Sequence, residues 1–178
     1  MTKLRRKISK DEISQSYDLK KLLDQNKVTK EQRDLFYQLV VDKIVDRTTG
    51  GKDINRKKFT PYSEKYAERK GVDVNSVDLV LTGDMLSSIE RDQSVGSGRV
   101  KIKLDGDEAE KAYYHTTGGK VPIRDFFGFD DSDDLKGIIR QVKRLQPKEQ
   151  EQEQEQPGID LAELRSIIDA IRVDFEEL

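Results

Sequence analysis

Apolar positions recur at helical spacing in several stretches of this chain and alternate strictly in one. Leu35, Phe36, Leu39, Val40, Ile44 and Val45 fall three and four apart, which predicts a core helix with a wide apolar face. Thr29, three residues before Gln32, supplies a capping box, and Gly50-Gly51 the stop. Phe59-Thr60-Pro61-Tyr62 predicts a second, shorter helix: Thr60 can cap, Pro61 suits the first position, Tyr62 and Tyr66 lie a turn apart, and Gly71 ends it. Thr82-Gly83-Asp84 opens a third, with Met85, Leu86 and Ile89 on one face. Residues 99–104 alternate, Val100, Ile102 and Leu104 against Arg99, Lys101 and Lys103, so a half-buried strand with a basic outer face is expected. Asp105-Gly106 turns the chain into a helix that carries Ala109, Ala112, Tyr113 and His115 towards Gly118-Gly119. Residues 121–128 read as extended and rich in aromatics. A last core helix begins near Ser132-Asp133-Asp134 and turns Leu135, Ile138, Ile139, Val142 and Leu145 inward.

The fold class that follows is α+β: several helices packed on a small antiparallel sheet. Residues 99–104 are the surest strand, and residues 73–81 and 120–127 are candidates for others. Residues 1–27 are polar and lysine-rich with scattered Leu4, Ile8, Ile13, Leu19, Leu22 and Leu23, and read as an extended N-terminal arm that could carry a short helix. Residues 28–145 form the core domain. Residues 146–158 contain no apolar side chain beyond two prolines and read as an EQ-rich spacer, though glutamate and glutamine could also extend a neighbouring helix. Beyond it, Leu161, Leu164, Ile168, Ile171, Phe175 and Leu178 step by three and four along a C-terminal amphipathic helix, residues 159–178. A seam on so short a helix is marginal alone in water, so it packs back on its own domain or docks on a neighbouring subunit or another protein.

Composition sharpens this division. Of 178 residues, 34% are hydrophobic and 38% charged, with no tryptophan, so a compact middle carrying solvated ends is expected. The net charge of −2 hides an asymmetry. Residues 1–30 hold nine Lys/Arg against four Asp/Glu, and residues 159–178 two against six. There is no cysteine, which removes disulfides, thiolate metal sites and cysteine nucleophiles. The basic start is followed by no apolar stretch, so it is not a secretory signal, and no window approaches a membrane span. No membrane association and synthesis in a cytoplasm are the expectation.

Little here suggests catalysis. The lone His115, beside Tyr113 and Tyr114, reads as a packing residue. Asp130, Asp131, Asp133 and Asp134 lack the spacing of a calcium loop and suit a helix start. Gly50-Gly51-Lys52 and Gly118-Gly119-Lys120 lack the flanking pattern of a phosphate loop. No enzyme activity, cofactor or metal is therefore expected. Lys57, Lys58, Lys65, Arg69 and Lys70, with Lys101 and Lys103 on the strand, are either a solvated face or a surface that touches DNA without reading it.

An ordered set of motifs resembles the virion morphogenesis family of tailed bacteriophages, which includes tail-completion and neck proteins of the phage Mu and phage P2 kind. It runs from about Ile44 to Ile138: Arg47-Thr48 with Gly50-Gly51; Phe59, Pro61-Tyr62-Ser63 and Tyr66; Leu81-Thr82-Gly83 with Met85-Leu86 and Ser88-Ile89. It closes with Ala112, His115, Gly118-Gly119, Pro122, Arg124, Phe126-Phe127 and Gly128. The resemblance implies a structural virion protein at the head–tail junction or tail end, working as a ring of identical copies beside other neck, portal-adaptor or tail proteins, with no catalysis and no cofactor. The two terminal extensions fall outside the shared pattern. Two other readings stay open: a non-specific DNA-contacting channel protein, and a transient assembly scaffold that leaves before maturation.

Overall fold

The computed structural model describes residues 4–80, 83–119, 121–129 and 133–145. Met1–Leu145 is one compact unit. The spacer and the amphipathic seam lie outside the described residues, as do Leu81, Thr82, Lys120 and Asp130 to Ser132.

The described residues are α+β, with six helices and a four-stranded antiparallel sheet of order β1-β2-β4-β3. Strands β2 (Glu12–Asp18) and β4 (Arg99–Asp105) pair along their full length, and β1 (Arg5–Ile8) and β3 (Glu90–Arg91) flank them. The register sets Ile13 opposite Leu104, Gln15 opposite Ile102 and Tyr17 opposite Val100. All six are buried, so directly paired positions build one core-facing surface. On the opposite face Lys7, Glu12, Lys101 and Asp92 form a chain of ion pairs, and Lys103 pairs separately with Glu90.

The long helix α2 (Lys30–Thr49) starts as its sequence dictates. Thr29 accepts from the Gln32 amide at 3.1 Å, and the Gln32 side chain returns the bond to the Thr29 amide at 3.1 Å. Phe36, Val40 and Ile44 are buried along it, and the Phe36 ring meets Tyr17 edge-on at 5.2 Å. Helix α6 (Asp133–Arg144) packs along α2 through Leu135, Ile138 and Val142, while α5 (Gly106–Thr117) lies against β2 and β4 with Ala109 and Ala112 buried. The short α1 (Leu19–Leu23), α3 (Glu64–Lys70) and α4 (Asp84–Ser87) complete the unit.

Several expectations are corrected. The stretch before Lys27 is not an arm outside the core, because β2 is a central strand and Leu19 and Leu23 of α1 are buried. Residues 73–80 and 121–127 form no strand; the ladder beside β4 is already filled by β2 and β3. The second helix begins after Ser63, whose hydroxyl accepts from the Tyr66 amide, rather than at Thr60-Pro61. The third is only four residues long, and Ile89 is buried beyond its end. Leu145 sits past the last turn of α6 and is 39% exposed rather than inward.

Candidate functional site

Residues 122–129 have no regular structure, yet Phe126, Phe127 and Phe129 are wholly buried. Burying three phenylalanines contributes about 2–3 kcal/mol each. Leaving the surrounding backbone groups unpaired would cost about 1–3 kcal/mol each and cancel much of that gain. Side chains from distant elements prevent this.

Arg47, three residues after Ile44 on the buried side of α2, donates from one Nη to the carbonyls of Phe126 at 2.5 Å and Gly128 at 2.8 Å. Its guanidinium lies 4.9 Å from the Phe129 ring centroid. Gln15 of β2 turns both ends of its amide to Phe129: Nε2 donates to the carbonyl at 2.5 Å, and Oε1 accepts from the amide at 2.7 Å. The Tyr17 hydroxyl donates to that same Oε1 at 2.7 Å, and burial pushes the phenol up. From β1, Arg6 grips the Asp125 carboxylate with two bonds of 2.9 and 2.6 Å, while the Asp125 carbonyl accepts from the Ile54 amide at 2.8 Å.

Arg124 ties the same segment to the chain before α3. Its Nε donates to the Thr60 carbonyl at 2.9 Å and its Nη2 to the Pro61 carbonyl at 3.0 Å, with the guanidinium 5.0 Å from the Tyr62 ring centroid. Its backbone amide donates to the His115 carbonyl at 2.7 Å. Burial first, and the nearby Arg124 charge second, pull the His115 imidazole down to about 4, so it is neutral near pH 7. His115, which follows Tyr113 and Tyr114, is thus a neutral side chain beside a cation.

The structure therefore gathers six of the sequence-named residues into one staple. Tyr62, His115, Arg124, Phe126, Phe127 and Gly128 meet in it directly. Phe59 is buried next to it, donating its amide to Gly51 at 2.8 Å, and Tyr66 stacks on Tyr62 at 4.7 Å. Gly118 and Gly119 end α5 at positive φ, and Pro122 is exposed. Gly83, the N-cap of α4, and Leu86 on it stand apart, where α4 supports α5. Leu81, Thr82 and the six seam residues Leu161, Leu164, Ile168, Ile171, Phe175 and Leu178 lie outside the described residues. Arg6, Gln15 and Tyr17 stand outside the sequence-named residues, whereas Arg47 belongs to the motif set and continues the apolar stripe of α2 as a charged residue.

Lys101 and Lys103 do not present a free basic surface. Lys101 is held by Glu12 at 2.9 Å and Asp92 at 2.8 Å; Lys103 is held by Glu90 at 2.9 Å and by Asp105. These pairs remove the observation on which a DNA-facing strand rested. Among the described residues, no group of three His, Asp or Glu is placed to hold a metal ion, and no helix is long and apolar enough to cross a membrane. No protein-family model, curated protein or solved structure matches the chain.

Proposed function

We propose that this chain is a structural subunit of a tailed-bacteriophage particle, acting in the neck or at tail completion, where it assembles as a ring and joins head to tail. The observation that carries the reading is the convergence of its family-like motifs. Residues spread from Arg47 to Gly128, picked out by resemblance alone, come together as one buried staple. That is what a shared scaffold requires, since the common residues hold an irregular segment in place while the surfaces differ between members. The C-terminal seam, Leu161 to Leu178, is the partner-binding element in this reading, and it docks on an adjacent subunit or a neck neighbour.

The test is a reconstruction of purified particles combined with deletion of the gene. The chain is expected at the junction, and its loss should leave filled heads and finished tails unjoined. Finding it only in precursor particles would replace this reading with the assembly scaffold, and its absence from both would overturn it.

A further inference from the structure

Ten Lys and Arg side chains of the described unit are held in ion pairs; of the others, six gather at one edge. Arg6, Arg56, Lys70, Lys101 and Lys103 all have acidic partners. Lys20, Lys21 and Lys27, and Arg140, Lys143 and Arg144 near the end of α6, are exposed, and no ion pair reaches them among the described residues. The two groups sit at one place. Gln32 donates from Nε2 to the Leu145 carbonyl at 3.0 Å and to the Gln25 side chain at 3.2 Å, tying the end of α6 to the loop after α1. Gln25 lines a cleft of about 490 Å³ with Lys20, Lys21, Asp24 and Asn26. Leu145, one of three exposed large apolar side chains among the described residues, lies at the same edge. An apolar point rimmed by unmatched cations is suited to an acidic amphipathic segment.

The chain carries such a segment. Residues 1–145 hold 30 Lys/Arg and 25 Asp/Glu, whereas residues 146–178 hold 3 and 10. We propose that this edge seats the acidic seam, residues 159–178, of a second copy, with Leu145 meeting its apolar side and Lys21, Arg140, Lys143 and Arg144 its carboxylates. The proposal rests on the ring reading and supplies its contact. In a closed ring each subunit gives one seam and receives one, whereas a seam turned back on its own edge would join nothing.

The absence of cysteine allows a direct test on full-length protein. Leu145→Cys and Ile171→Cys are made in separate chains, mixed and mildly oxidised. A disulfide-linked pair of two different chains is expected, forming at least tenfold more slowly when the first chain also carries Lys143→Glu and Arg144→Glu. Adding Glu176→Lys and Glu177→Lys to the second chain should restore much of the rate. Matching melting curves by circular dichroism would show that the exposed substitutions leave the fold intact. The proposal falls if the linked pair does not form, if charge reversal leaves its rate unchanged, or if the two cysteines in one chain close only internally. It falls equally if the edge retains random duplex DNA through Lys143 and Arg144 while no pair forms. A protein found in particles that gives no linked pair overturns this contact alone. A linked pair from a protein absent from particles overturns the proposed function and leaves the contact standing.

Discussion

Gly128 is the residue at which the staple tolerates least. Its φ is +88°, and a Cβ there would lie 2.0 Å from Gln15 Oε1, the atom that also receives Tyr17 and the Phe129 amide. Gly128→Ala therefore combines backbone strain with eviction of a buried hydrogen-bonded amide, and should cost about 3–5 kcal/mol in denaturant unfolding. Gly71 makes the control. It has φ +73° but nothing within 4 Å of the added atom, so Gly71→Ala should cost only about 1–2 kcal/mol. Equal losses at the two sites would remove the special role of Gln15. His115 gives the pH signature of the same region. Its folded value of about 4 lies below the ordinary 6.5, so between those values the unfolded chain takes a proton that the folded one refuses. Its contribution is complete above pH 6.5 and is lost as pH falls towards 4, with a slope of up to about 1.4 kcal/mol per pH unit. Glu12, held down to about 2 by hydrogen bonds from Lys7, Ser14 and Lys101, adds a second loss between about pH 4.5 and 2. His115→Gln should flatten the upper window and leave the lower one, as read from unfolding free energies across pH.

Elements were legible in the sequence where local chemistry and burial agree. Helix α2 carries its start signal in Thr29 and Gln32, and Thr29→Ala should cost about 1 kcal/mol with no change in denaturant slope. Strand β4 shows its face because Val100, Ile102 and Leu104 are all apolar. Strand β2 uses the same alternation, but the middle inward position is Gln15, so Ile13-Ser14-Gln15-Ser16-Tyr17 reads as a polar stretch. Nothing local reveals that the amide will meet Phe129, 114 positions away. The same long-range pairing explains why residues 121–127 resembled a strand: Phe126 and Phe127 are buried as a strand's side chains would be, but the backbone bonds of Arg124, Asp125 and Phe126 go to His115, Ile54 and Arg47 rather than to a neighbouring strand. A sharp test follows at β2. Gln15→Leu improves the hydrophobic alternation yet leaves the Phe129 amide and carbonyl and the Tyr17 hydroxyl without their partner. It should destabilise by about 2–4 kcal/mol, whereas a pattern-based view expects a gain.

For the whole molecule, the proposed ring reading divides labour between the two ends, so that assembly would be separable from folding. The buried apolar cluster runs from Ile13 to Val142, and no core residue of the described unit lies beyond that point. Folding of Met1–Leu145 is thus expected to survive loss of the acidic end, while joining of subunits is not. Removing residues 157–178 should leave the melting temperature of the core within a few degrees of the full chain and abolish its higher-mass species in sedimentation. The charge split argues for a second handle on the same event. Attraction between a basic core and an acidic end is screened over about 10 Å at 0.1 M salt and 3 Å at 1 M. Self-association of the full chain should therefore weaken between those concentrations, and the truncated chain should show no such response. A truncated protein that assembles as well as the full one, or assembly indifferent to salt, would mean that the subunits meet through another surface of the core.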